Sequence, residues 1–107
     1  MEIESFLKFV SYICKRPAMF AVSGVEDLNL VIFGYQCGLG QTPMASEVSD
    51  FMFEFRKLVN KRYGSRKDYD WAKLIRFHSG SDSHTIEIFA KLFNALIEKK
   101  GYKIELS

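Results

Sequence analysis

The sequence predicts an all-α domain of about five helices, and three observations predict it. Apolar residues recur at three- and four-residue spacing along most of the chain, capping residues and glycines punctuate that spacing, and only one short segment alternates. A length of 107 residues fits a single domain spanning 1–107, and 48% hydrophobic residues against 26% charged are enough to bury one core.

Ile3, Phe6, Leu7, Val10, Ile13 and Cys14 form the first helical stripe, which Lys15-Arg16-Pro17 ends, because proline disfavours a helical residue before it. Ser23 followed by Glu26 reads as a capping box for a second helix with Val25, Leu28, Val31, Ile32, Tyr35 and Leu39 inward, closed by Gly38 and Gly40. Residues 41–45 read as a loop, and Ser46 as the cap of a third helix. Its stripe is Val48, Phe51, Met52, Phe55, Leu58 and Val59, and Gly64 lies past its end. Asp68 is the expected cap of a shorter helix carrying Trp71, Leu74, Ile75 and His78. After the polar break 79–83, a fifth helix turns Ile86, Phe89, Phe93, Leu96 and Ile97 inward. Tyr102-Lys103-Ile104-Glu105-Leu106 alternates and reads as a short extended tail.

The N-terminus lacks the pattern of a signal peptide and no apolar run is long enough to span a bilayer, so a cytoplasmic protein is expected. Cys14 and Cys37 are too few for a disulfide framework and read as buried thiols. Four groups, Cys14, Cys37, His78 and His84, lack the close pairing of a zinc site, and no glycine-rich phosphate loop follows a strand; no metal or cofactor is expected. Gly34 and Gly38 share a helix face, and Gly34 reads as a point of close helix packing. His78, Asp82 and His84 surround a serine-rich turn, but Ser and Asp there serve as turn and cap residues, so the chain does not read as an enzyme.

The net charge is +2, unevenly distributed. Residues 1–55 hold three basic and seven acidic side chains, and residues 56–107 hold twelve basic and six acidic. Arg56, Lys57, Lys61, Arg62, Arg66 and Lys67, with Lys73 and Arg76 beyond them and Tyr63, Tyr69 and Trp71 as stacking surfaces, make a nucleic-acid-binding module the alternative reading. The opposite feature is rarer: the 39 residues from Pro17 to Phe55 contain no Lys or Arg but do contain Glu26, Asp27, Glu47, Asp50 and Glu54. A surface of one sign attracts a partner of the other. These five carboxylates, with Phe20 and Phe53 as anchors off the core stripes, form the expected partner-binding face.

Arg16-Pro17-Ala18-Met19-Phe20, then Ser23, Leu28 and Gly34-Tyr35-Gln36, an aromatic third helix and Trp71-Ala72 resemble a group of small helical bacterial proteins. That group includes proteins similar to the immunity partners of contact-dependent growth inhibition toxins, and the resemblance covers residues 13–75. It implies a cytosolic protein that binds one toxin domain and blocks it without chemistry of its own. Such toxins are frequently nucleases with positive clefts, which an acidic face complements. In the motif, Pro17 would stop the first helix while Met19 and Phe20 tuck a turn against the core.

Overall fold

A computed structural model describes residues 3–104 as five helices and a short 3₁₀ turn: α1 (Ile3–Lys15), the turn Pro17–Phe20, α2 (Val25–Leu39), α3 (Pro43–Arg62), α4 (Trp71–Phe77) and α5 (Asp82–Lys99). The radius of gyration is 13.2 Å, about what a folded chain of this length takes. No described residue lies in a strand. Tyr102–Ile104 continues the chain without one, and the rest of the predicted extended tail, Glu105 and Leu106, lies outside the described residues.

Each helix turns most of its predicted stripe inward, with Cys14, Val31, Tyr35, Leu39 and Leu58 half-buried at the edge of the core and His78 exposed. Ile3, Phe6, Leu7, Val10 and Ile13 from α1 meet Leu28 and Ile32 from α2, Val48, Phe51, Phe55 and Val59 from α3, and Phe89, Phe93 and Leu96 from α5 in one cluster. Aromatic rings dominate its centre. Phe55 lies 5.0 Å from Phe89, 5.3 Å from Trp71 and 5.6 Å from Phe93, and Phe51 is 5.3 Å from Phe93. Edge-on geometry suits the ring quadrupoles and lets large side chains interlock without voids.

The helix starts differ from those the sequence predicts, each for a local reason. Gly24, not Ser23, is the N-cap of α2; the Ser23 amide donates to the Asp27 carboxylate at 2.9 Å, and the Val25 amide is satisfied from 60 residues away by Thr85 Oγ1 at 3.1 Å. A Cβ at position 24 would stand 2.6 Å from Arg76 Nη2 and 2.9 Å from Asp82 Oδ1, so a side chain there would make both groups shift. Helix α3 begins at Pro43 with Thr42 as its cap, four residues before the expected cap Ser46, because proline is tolerated in a first turn whose amide would be unpaired anyway. Glu47 therefore sits beyond the first turn. Asp70 caps α4, while Asp68 pairs with Arg56 at 2.9 Å. Ser81 caps α5, as the polar break allowed. At the far end of α3, Gly64 takes φ +62 as expected, returning the Ser65 amide to the Asn60 carbonyl.

Two further expectations change. Phe20 does tuck inward, its ring 6.0 Å from Phe9 and edge-on to it, but Met19 points to solvent. Gly34 makes no close packing, since nothing lies within 4 Å of where its Cβ would be.

Asn60 fixes the loop between α3 and α4. Its Nδ2 donates to the Arg56 and Tyr69 carbonyls at 2.8 and 2.9 Å, and its Oδ1 accepts the Tyr69 amide at 2.9 Å. Replacing it with alanine leaves both Tyr69 backbone groups without their partner, so Asn60→Ala should cost about 2 kcal/mol in chemical denaturation. A loss below about 0.5 kcal/mol would mean that water replaces the amide freely.

Candidate functional site

The five carboxylates expected to share one face are divided by the fold. Glu26, in the first turn of α2, is gripped by Arg76 of α4 through two bonds of 2.7 Å, and Arg76 Nη2 also reaches Asp82 of α5 at 2.6 Å. The guanidinium holds the Glu26 carboxyl below the ordinary carboxylate range, and both acids raise the pKa of Arg76 in return. Glu54 pairs with Lys100 at 2.5 Å, which raises the lysine, and Asp50 adds to the same field. Asp27 closes the turn ahead of α2. The expectation that positive side chains are kept off this surface is therefore not met, because Arg76 and Lys100 reach into it from segments distant in sequence. Glu47 and Asp50 are the two acids of the set left exposed with no ion pair among the described residues.

Of the two aromatic anchors, Phe20 is half-buried against Phe9, whereas Phe53 is 59% exposed. Beside Phe53 the fold adds two residues that sequence reading assigned no role. Leu30 and Phe33 on α2 are 68% and 64% exposed. Gln36 Nε2 lies 3.5 Å from Ser49 Oγ, setting the register of the α2–α3 hairpin. One turn back along α2 is Phe33 and one turn forward along α3 is Phe53, so the two stand at the same level of neighbouring helices. Asp50 is one turn from Phe53 on α3, and Lys57 Nζ caps the other side of the Phe53 ring at 5.2 Å. Leu30, Phe33 and Cys37 line up at three- and four-residue intervals, and Gly34 and Gly38 beside them carry no side chain. The result is a low, apolar, largely charge-free strip on α2 with Asp50 and Lys57 on either side of Phe53 at its α3 margin.

A signal for this strip exists in the sequence. Leu28, Leu30, Val31, Ile32 and Phe33 make a nearly unbroken apolar run, and a helix packed on one side cannot bury every member of such a run. Cys37 is exposed, contrary to the buried thiol expected, while Cys14 is half-buried and its environment pushes its thiol up to about 12.

The remaining candidates disperse. Asp82 is engaged by Arg76, His84 is exposed in the first turn of α5, and His78 stacks on Tyr63 at 4.0 Å; the three do not hydrogen-bond one another through their side chains. No group of three His, Cys, Asp or Glu is placed to hold a metal ion among the described residues. Trp71 is buried against Phe55 and Phe89, so it is no stacking surface, and Arg56 is committed to Asp68. No described helix is long and apolar enough to cross a membrane. Comparison with protein-family models, with curated proteins and with solved structures finds no match to the chain.

Proposed function

We propose that the protein is a non-catalytic immunity protein of the bacterial cytoplasm that binds a cognate toxin domain through the outer surface of α2 and α3. The observation that carries the reading is the exposure of Leu30, Phe33 and Phe53 together on one helical hairpin, with Asp50 one turn from Phe53. Large apolar side chains clustered in water mark an interaction surface, and burying each contributes roughly 1.5–3 kcal/mol. They are the anchors; Asp50 beside them is the rim acid that favours a positive group on the partner.

A toxin nuclease has the required chemistry, since its substrate cleft is positive to hold phosphate. The acidic surface is narrower than the sequence suggested: Glu26 and Glu54 are paired within the molecule, and Asp50 remains for the partner. Occlusion of a cleft by a rigid helical hairpin needs no reaction, only a complementary shape that leaves slowly.

The test is co-expression with the C-terminal domain of the protein encoded immediately upstream of this chain's gene, which should be toxic when expressed alone. Growth should be restored, and the two proteins should elute together on gel filtration. Continued toxicity with both proteins present and folded would overturn the reading.

A further inference from the structure

We propose that the end of the molecule built from α4 and the α3–α4 loop binds single-stranded nucleic acid, with a base in the groove beside Phe77 and the phosphates on the cations around it. The groove has a volume of about 410 Å³ and is lined by Ser65, Tyr69, Lys73, Leu74, Phe77 and His78. Its walls are mostly apolar or aromatic, and its one ionic side chain is a lysine. Phe77 is 82% exposed, the most exposed of the large hydrophobic residues described, although it belongs to a seven-residue helix whose other large apolar residues are buried.

The rings are ordered as a platform. His78 lies flat on Tyr63 at 4.0 Å with the planes 2° apart, and the Phe77 ring meets His78 edge-on at 5.1 Å. Tyr69, exposed, borders the same groove, and its backbone is pinned by Asn60. Bases stack on such faces whatever their identity.

Cations outnumber acids around the groove. Arg62 lies 6.0 Å from the Tyr63 ring, Arg66 and Lys67 fall between the lining residues Ser65 and Tyr69, and Lys73 is in the wall. These cations are exposed and make no ion pair with a described acid. Of the two nearby acids, Asp68 is paired with Arg56, and Asp70 accepts the Lys73 amide and has no ion-pair partner among the described residues. Free cations interleaved with exposed rings suit an alternation of phosphate and base; an acidic peptide would use the cations and leave the stacked rings idle. This site shares no residue with the α2–α3 strip and does not depend on the toxin-binding reading.

Fluorescence anisotropy with a labelled oligothymidylate of about twelve nucleotides, and with polyglutamate of matched charge, tests the proposal on the whole chain. The oligonucleotide should bind at low salt and weaken steadily as salt rises. Phe77→Ala should reduce its affinity about 5- to 100-fold, the effect of losing one base stack. Lys73→Glu should weaken it and flatten the salt dependence. No oligonucleotide binding at low salt would overturn the proposal. So would equal binding of polyglutamate, or an affinity untouched by Phe77→Ala, since either outcome leaves only unspecific charge attraction.

Discussion

Phe55→Ala should destabilise the domain by about 3–5 kcal/mol, measured by urea unfolding with an unchanged slope. The side chain is fully buried and joins three helices: its own α3, α4 through Trp71, and α5 through Phe89 and Phe93. Removing it opens a cavity whose walls are large flat rings, which cannot collapse inward as flexible aliphatic chains do. Since small domains are stable by about 5–15 kcal/mol, this single change takes a large share of the total. Phe55→Leu fills part of the space and should cost visibly less. A loss below about 1.5 kcal/mol for the alanine variant would mean that the ring cluster does not hold the helices together.

The second large effect concerns the partner. Phe33→Ala combined with Phe53→Ala should reduce affinity for the toxin domain by more than about 100-fold, because two anchors at about 2 kcal/mol each exceed that factor. Stability should stay within about 0.5 kcal/mol of the parent, since both rings are mostly in water and alanine is the best helix former. Isothermal titration calorimetry of the complex and urea unfolding of the free variant separate the two effects. Of the acids, Asp50 is the clean probe of charge. Reversing it to lysine should slow association, most at low salt, whereas reversing Glu54 would also break its pairing with Lys100.

The contrast between Glu26 and Phe55 explains how far the sequence could be read. Phe55 belongs to a stripe whose spacing alone points it inward, and each such stripe supplies residues to the core. The fold class was legible because helical period is a local property. Glu26 reads as part of an open acidic face because no cation lies near it in sequence; its partner Arg76 is 50 residues away and arrives only when α4 packs beside α2. Lys100 reaches Glu54 across a separation of 46 in the same manner. Charge pairing is tertiary, so a run without lysine predicts no surface by itself.

The helix starts failed for a narrower reason, since Ser46, Thr42 and Pro43 all satisfy some part of a start signal and only the packed backbone selects among them. Leu30 and Phe33 were hidden by their neighbours. In an apolar run with more members than one helix face can bury, the sequence does not say which are left outside. Trp71 shows the converse, a large aromatic beside a basic cluster that the core claims instead.

Cys37 offers a direct probe of the α2 strip, because it is exposed one turn beyond Phe33, while the other thiol, Cys14, is half-buried with its pKa pushed up to about 12. Its rate of alkylation by iodoacetamide can be followed by mass spectrometry in the free protein and in the purified complex with the toxin domain. If α2 is covered by the partner, alkylation of Cys37 should slow by at least about tenfold on complex formation and recover with Phe33→Ala/Phe53→Ala, which releases the partner. An unchanged rate in a complex that stays intact would show that the partner sits elsewhere on the molecule.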